Sequence, residues 1–298
     1  MAVDAPSVPA KMPARIEARP VRHPLRWVAA AIVLLILASL LVSLWKNPHL
    51  ERDVVGQYLF KTLTLKGIWV TLYLTVVAMV IGIVGGALIA VMRLSGNPVL
   101  SGVSMLYTWI FRGTPALVQI IFWGYMGALY PQIVLGIPFT HVAFVHENTN
   151  ALIGATTAAI LALGLNEVAY ASEIVRGGIL GVDRGQTEAA KALGMSEGQT
   201  TRRIVLPQAM RVMIPPMGNE TITMLKQSSL VSVIAGNDLL TNLQDVYSQN
   251  FKVIPLLVVA SLWYLALTTV LSIGQAMLER RYARGFNNGT RRKKRWAR

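Results

Sequence analysis

Long apolar runs alternate with short polar segments along this chain of 298 residues. Since about 20 apolar residues in a helix cross a bilayer, six runs are candidate membrane spans. They are residues 27–45, about 67–92, about 115–130, about 151–175, about 214–235 and about 253–278. The first run is too long and too uniformly apolar for a cleaved signal peptide, so we expect a retained helix. The pattern therefore predicts an all-α integral membrane protein with six transmembrane helices.

The distribution of basic residues predicts which connections are cytoplasmic. Of the 28 Lys and Arg residues, 22 lie in four segments: 1–26, 93–114, 176–213 and 276–298. The alternate segments carry only four: residues 46–66, 131–150 and 237–251. Because positively charged connections stay on the cytoplasmic side, both termini are predicted to be cytoplasmic. Residues 1–26, with five prolines, are expected to form a disordered tail, and residues 279–298 a solvated basic tail.

Composition excludes several kinds of site. Charged residues make up 14% of the chain, whereas a soluble domain has about a quarter. The chain has a net charge of +14, and its basic residues cluster at the ends of the apolar runs. This distribution argues against nucleic-acid binding. The absence of cysteine excludes disulfides and iron–sulfur clusters, and four scattered histidines do not indicate a metal site. Without a G-x-x-x-x-G-K-[ST] phosphate loop or a Ser/His/Asp constellation, we expect neither enzyme activity nor a cofactor in this chain.

A polar helix–turn–helix is predicted between the fourth and fifth spans. Its first helix, rich in alanine, contains Glu188–Ala190 and ends at Gly194, a residue suited to the position after a helix C-terminus. The second helix begins at Ser196, where Gln199 can complete a capping box, and Pro207 is expected to interrupt it. A basic, polar loop of this kind on the cytoplasmic side is suited to contact another protein.

The spacing E-A-A-x3-G-x9-I-x-L-P in this loop resembles the coupling loop of permease subunits of bacterial ABC importers. In that family the loop docks on the ATPase subunit. The resemblance implies a coupling loop at 177–213 whose ATPase-contacting residues are Glu188, Ala189, Ala190, Gly194, Ile204, Leu206 and Pro207. The alternative is an ordinary amphipathic loop between two spans.

Two further motifs resemble the polar amino-acid subfamily of these permeases. Residues 112–119 match R-G-T-P-x-L-V-Q, and residues 169–178 match A-Y-x-A-E-I-x-R-G-G except at Ser172. Thr114 is expected to cap the third span and Pro115 to occupy its first turn. The motif residues with a gating or structural role are Arg112, Thr114, Pro115, Tyr170, Glu173 and Arg176. The resemblance covers residues 60–278 and implies a five-helix type I importer core, to which residues 27–45 add one helix.

The resemblance also implies the partners of the chain. A permease of this class works with a dimer of ABC ATPase subunits, which holds ATP and magnesium, and with a second permease chain in a homodimer or heterodimer. An extracytoplasmic amino-acid-binding protein delivers a polar or charged amino acid to this multi-pass protein of the cell (inner) membrane. The alternatives are an importer of a related small solute (an opine or a cystine-like compound), a proton-coupled secondary transporter using Glu167 or Glu220, and a non-transporting membrane scaffold.

Polar residues inside the fourth and fifth spans are candidates for the substrate pathway, because ionisable groups are costly in a membrane. They are Asn166, Glu167, Glu220, Thr223, Lys226 and Gln227. Gln227 stands where the subfamily often has aspartate. Two carboxylates, a lysine and several amide or hydroxyl groups suit a zwitterion. The alternative is a structural set in which Glu167 pairs with Lys226 and locks two helices together.

Two patterns bear on packing and on the outer surface. Gly82 and Gly86 form a G-x-x-x-G in the second span, which permits close helix approach either within the chain or between two chains. Residues 238–250 can form a short amphipathic helix on the outer face, where it contacts the binding protein or shields the pathway.

Overall fold

The computed structural model describes residues 24–136 and 143–283. The chain divides into two units, residues 1–50 and 51–298. In the first unit, helix α1 (Pro24–Lys46) is followed by a 3-10 turn at Pro48–Leu50. Helix α1 is apolar on every face, and the mean hydropathy of an 18-residue window within it is 2.7, which suits a helix surrounded by lipid. Most of the two predicted tails lies outside the described residues; their described ends, 24–26 and 279–283, are helical.

The second unit is mainly helical over its described residues. Its α-helices are α2 (Arg52–Leu59), α3 (Thr62–Leu94), α4 (Pro98–Gly113), α5 (Ala116–Gly124), α6 (Met126–Leu129), α7 (Thr149–Leu152), α8 (Ala155–Leu180), α9 (Arg184–Ala192), α10 (Glu197–Thr200), α11 (Leu206–Gln227), α12 (Leu239–Asn250) and α13 (Val253–Ala283). A π turn at Thr201–Val205 joins α10 to α11, and a 3-10 helix at Ser228–Ile234 follows α11. An antiparallel hairpin of β1 (Gln132–Gly136) and β2 (Ala143–Asn148) occupies a segment predicted only as a connection.

Four of the six predicted spans correspond to helices that are long and apolar enough to cross a membrane. Among the described residues these helices are α1, α3, α8 and α13. The predicted third span is divided into α5 and α6, of nine and four residues. The predicted fifth span corresponds to α11, which begins at Leu206 rather than near residue 214 and carries several polar side chains. The count of six transmembrane helices therefore stays a prediction.

Glycines bring α3 and α8 into close contact. A Cβ at Gly86 would lie 2.7 Å from the Ala171 Cβ, and a Cβ at Gly82 would lie 2.8 Å from the Glu167 Cβ. The G-x-x-x-G of α3 therefore serves packing within the chain. Buried residues of α3, α5, α8 and α11 form one core cluster, with Leu74, Ile120, Leu163 and Met224 among them. A second cluster joins α3, α12 and α13 through Ile68, Leu239, Leu243, Leu256 and Val259.

Candidate functional site

A break between α4 and α5 places the R-G-T-P motif at a corner of the fold. Pro115 has no N–H, so the Phe111 carbonyl four residues earlier lacks its helical donor. The Gln119 Nε2 donates to this carbonyl at 3.0 Å and to the Thr114 carbonyl at 3.1 Å. The Asn166 Nδ2, from α8, also donates to the Phe111 carbonyl at 3.0 Å. The side chains of Gln119 and Asn166 therefore hold the corner together.

The expected roles of Thr114 and Pro115 at the start of α5 are wrong. Thr114 does not cap α5, because its Oγ1 donates to the Ile110 carbonyl at 2.9 Å in the preceding helix. Pro115 stands just before the first helical residue, Ala116, rather than in the first turn. The hydroxyl of Thr114 thus closes α4 and leaves Pro115 to turn the chain.

Glu167 lies midway along α8, in the contact between α8 and α3. The residue is 2% exposed, and its side chain packs against Gly82. The Glu167 Oε1 accepts no hydrogen bond from the described residues. A buried carboxylate oxygen without a donor is costly. The place of Glu167 in the substrate pathway stays a prediction.

The predicted pathway residues of α11 fall into two groups. Glu220 and Thr223 share one helical face and are half-buried, and Glu220 is near enough to Glu167 to interact with it electrostatically. Lys226 is exposed and Gln227 is half-buried at the C-terminal end of the helix. The described residues contain no ion pair between Glu167 and Lys226, so the alternative of a lock between these side chains does not hold. The two carboxylates interact electrostatically, and Lys226 forms no ion pair with Glu167 within the described residues.

The second motif, near the end of α8, contacts the R-G-T-P arginine through an aromatic ring. The Arg112 guanidinium carbon lies 5.2 Å from the Tyr170 ring centroid, a distance typical of a cation–π interaction. One turn later, the Glu173 Oε2 accepts from the Arg176 Nε at 3.0 Å and from its Nη2 at 2.7 Å. Arg112 also interacts electrostatically with Glu220. These contacts are consistent with a structural role, and a gating role stays a prediction.

The first helix of the predicted coupling loop is α9, and it ends at Gly194 as the sequence predicts. Gly194 has a φ of +77°. Its N–H donates to the Lys191 carbonyl at 2.9 Å, and the Met195 N–H donates to the Ala190 carbonyl at 3.1 Å. These two bonds form a Schellman motif, which requires the left-handed conformation that glycine adopts without strain.

The surface of this loop is largely polar, and Leu193 is the most exposed of its large apolar side chains. Glu188 and Ala189 are exposed, whereas Ala190 is buried against the rest of the loop. Leu193 is 83% exposed at the end of α9. Of the other predicted contact residues, Ile204 is half-buried, and Leu206 and Pro207 are exposed.

The second helix of the loop starts as predicted but continues further. The Ser196 Oγ accepts from the Gln199 N–H at 3.3 Å, and the Gln199 Oε1 accepts from the Ser196 N–H at 3.1 Å, which completes the capping box. The prediction that Pro207 interrupts this helix is wrong. The π turn widens the helix at Thr201–Val205, and α11 then continues with Pro207 in its first turn. The sequence pattern gave no sign of the π turn.

The predicted outer helix is α12, and a buried carboxylate caps it. Asp238 accepts hydrogen bonds from the Leu240 N–H at 3.0 Å and the Thr241 N–H at 3.3 Å, and from the Thr241 hydroxyl. The Tyr264 hydroxyl of α13 donates to it at 3.4 Å. Burial raises the pKa of Asp238, and the hydrogen bonds act in the opposite direction. The cap thus fixes α12 against α13.

Two side chains that organise this region were not among the predicted site residues. Gln119 is the last residue of the R-G-T-P-x-L-V-Q motif, so the motif itself contained the signal. The Tyr107 hydroxyl donates to the Leu165 carbonyl at 2.7 Å, and a single tyrosine in an apolar helix gives no sequence signal for such a bond. Among the described residues, no group of three or more His, Asp or Glu residues is arranged to hold a metal ion.

Comparisons with known proteins agree with these features. Residues 57–284 match the family described as binding-protein-dependent transport system inner membrane component. The chain is 46% identical over 281 residues to the arginine transport system permease protein ArgU of Corynebacterium glutamicum, covering 94% of this chain and 87% of that protein. It is 33% identical over 219 residues to the glutamine transport system permease protein GlnP of Escherichia coli, covering 74% of this chain and 92% of that protein.

A solved structure shares both sequence and fold. The crystal structure of an amino acid ABC transporter with histidines contains a chain 35% identical to this one, with a TM-score of 0.61. The similarity covers 74% of this chain and 94% of that chain.

Proposed function

Since the chain belongs to the family of binding-protein-dependent transport system inner membrane components, we propose that Glu167 and Glu220 bind the cationic side chain of an amino acid during import. The chain is a membrane-spanning permease subunit of an amino-acid ABC importer. The relatives are named for different substrates, so we infer that side chains lining the pathway contribute to the choice of amino acid.

The observation that carries this proposal is the buried Glu167 Oε1, which has no donor among the described residues. Glu220 lies near it on the facing helix. Two neighbouring carboxylates repel each other, and a bound ammonium or guanidinium group offsets that repulsion and supplies the missing hydrogen bonds. An apolar side chain would leave the same groups buried and unpaired.

The relatives support a cationic or polar substrate. The protein that is 46% identical is named for arginine transport, and the one that is 33% identical is named for glutamine transport. Arginine has a guanidinium group with five N–H donors, which suits a site with more than one carboxylate. Arginine is therefore the first substrate to test, and an opine or a cystine-like compound is the alternative.

We assign the energy source and the delivery of substrate to other chains. An ATPase dimer with ATP and magnesium would dock on the loop at 177–213, where the exposed Leu193 lies beside the Schellman turn. A second permease chain completes the pathway, and an extracytoplasmic binding protein delivers the amino acid. The basic segments favour a cytoplasmic position for both termini and this loop.

The test is uptake into proteoliposomes that contain the chain, its partner ATPase and its binding protein. We expect uptake of radiolabelled arginine that requires ATP, is lost without the ATPase, and is competed by lysine or histidine more strongly than by leucine. Uptake that a protonophore abolishes and ATP does not support would indicate a secondary transporter. Equal competition by leucine would exclude the two carboxylates as a cation site.

A further inference from the structure

A cavity lies where residues near the C-terminal ends of α3, α4 and α8 meet. Its volume is about 420 Å³. Its lining includes Arg93, Thr108, Trp109, Arg112, Tyr170 and Glu173. The segments that follow α3 and α8 belong to the basic side of the chain, so the cavity lies on the side predicted to be cytoplasmic.

The charge of this cavity is positive. The carboxylate of Glu173 is engaged by Arg176, at 2.7 Å. Neither Arg93 nor Arg112 forms an ion pair within the described part of the chain. Arg93 donates only a long hydrogen bond, of 3.4 Å, to the Ser101 carbonyl. Since a guanidinium group has five N–H donors, both arginines keep donors for an anion, and paired guanidinium groups suit a phosphate.

The rim of the cavity is suited to the membrane–water interface. Arg93 lies in the last turn of α3, directly after its apolar stretch. Met105 and Trp109 are 52% and 72% exposed, and they share one face of α4 with Arg112 at the i, i+4, i+7 spacing. Tryptophan and arginine are the side chains that anchor helices at the level of lipid head groups. An anion with an attached apolar chain fits this combination better than a free ion does.

We propose that Arg93 and Arg112 bind the phosphodiester of an anionic phospholipid of the cytoplasmic leaflet, with Met105 and Trp109 against the upper part of its acyl chains. The proposal needs only membrane insertion and the predicted orientation, so it can fail while the transport function holds. Arg112 also interacts with Glu220. A lipid phosphate at Arg112 would therefore compete with Glu220 for one guanidinium group and link lipid composition to the pathway.

The test uses the full-length chain in nanodiscs, where the absence of cysteine permits single-site labelling. A fluorophore on Met105→Cys reports quenching by phosphatidylglycerol or phosphatidylcholine that carries a nitroxide near the head group. We expect phosphatidylglycerol to reach half-maximal quenching at a roughly tenfold lower mole fraction. Val99→Cys, on the same helix and 68% exposed, is the matched control and should not distinguish the two lipids.

A charge-matched pair of double variants identifies the residues. The double variant Arg93→Gln/Arg112→Gln should lose the preference for phosphatidylglycerol at position 105. The control double variant Arg202→Gln/Arg203→Gln, on the π turn, should retain this preference. Equal quenching by both lipids at position 105, or a preference that survives loss of Arg93 and Arg112, would overturn the proposal.

Three further results would also contradict it. If millimolar inorganic phosphate removes the preference for phosphatidylglycerol, the cavity is a site for free phosphate. Protection of position 105 from both lipids, with cross-linking between chains at that position, would indicate that a second copy covers the cavity. If the Arg93/Arg112 variant fails to insert in the membrane, the quenching at positions 105 and 99 of the otherwise unchanged chain tests the proposal. An equal preference for phosphatidylglycerol at both positions would exclude the site.

Discussion

Gly82 leaves the space that the Glu167 side chain occupies. Because residue 82 has no side chain, α3 approaches α8 closely, and a Cβ at Gly82 would lie 2.8 Å from the Glu167 Cβ. Glu167 is thereby held at one position in the contact between two apolar helices, with its Oε1 free to accept a hydrogen bond. The placement of the carboxylate that we propose for substrate binding thus depends on a glycine of another helix.

Gly82→Ala should therefore displace Glu167. The added methyl group overpacks the contact, which typically costs about 1–3 kcal/mol of stability, and moves the carboxylate from its position. We expect a lower melting temperature in detergent together with weaker arginine uptake. Gly102→Ala is the matched control, because nothing lies within 4 Å of a Cβ at Gly102 in α4. There alanine should be neutral or stabilising, by up to about 1 kcal/mol. Equal melting temperatures for the two variants would contradict the close contact at Gly82.

Glu167→Gln should weaken binding of a cationic amino acid without lowering stability. The change keeps the size of the side chain and removes the charge, and losing a charged hydrogen bond costs roughly 1.5–3 kcal/mol, or about ten- to a hundredfold in affinity. Stability should be kept or raised, because no ion pair with Lys226 is lost. Substrate-dependent uptake and melting temperature are measured on the same variant. Unchanged uptake with a lower melting temperature would assign Glu167 to the scaffold.

The long apolar helices and the local turns were predictable from sequence, because their causes lie in neighbouring residues. The Schellman turn at Gly194 and the capping box at Ser196 each depend on a few positions in a row, and both are confirmed. The break at Pro115 was predicted as a helix start, but which groups satisfy the freed Phe111 carbonyl depends on Asn166 of another helix. Such bonds between distant segments leave no periodic signal.

The candidate site was predictable in its chemistry and less so in its geometry. A carboxylate within an apolar span is visible in the sequence, so Glu167 and Glu220 were identified before their proximity was known. The sequence left open a pair between Glu167 and Lys226, since opposite charges on two spans can meet. Lys226 lies six residues beyond Glu220, which is about 9 Å along a helix, and its side chain is exposed. Helix packing, which the sequence does not encode locally, decides between these arrangements.

The buried cap at Asp238 predicts a pH dependence of stability. Burial raises the pKa of Asp238 in the folded chain above its value in the unfolded chain. Folding therefore favours the protonated carboxyl group of Asp238. Its contribution to the free energy of unfolding is complete below the unfolded pKa of about 4 and is lost as the pH rises through the folded pKa. Asp238→Asn retains a helix cap without the titration. We expect the melting temperature of the variant, relative to the wild type, to rise between about pH 4 and pH 7. A relative melting temperature that falls over this interval would contradict the raised pKa.

The predicted topology can be checked with single cysteines, because the chain has none of its own. Ala5→Cys should be protected from an impermeant thiol reagent in intact cells, since the five basic residues of 1–26 favour the cytoplasm. Val145→Cys, on the predicted outer segment, should be labelled. Both cysteines should react after the cells are permeabilised, which is the control for accessibility. Labelling at residue 5 with protection at residue 145 would invert the orientation.

Gly194→Val should uncouple ATP hydrolysis from uptake while leaving the permease inserted in the membrane. No atom lies within 4 Å of a Cβ at Gly194, so the effect comes from the backbone alone. A β-branched residue at a φ of +77° is strained by about 1–2 kcal/mol or more, and the Schellman turn that positions Leu193 should open. Gly198→Val is the matched control, because Gly198 lies in helix α10 with equally open surroundings. In proteoliposomes with the ATPase present, we expect Gly194→Val to lose most uptake and substrate-stimulated hydrolysis and Gly198→Val to keep both. Equal activity of the two variants would mean that the geometry of this turn is not used in coupling.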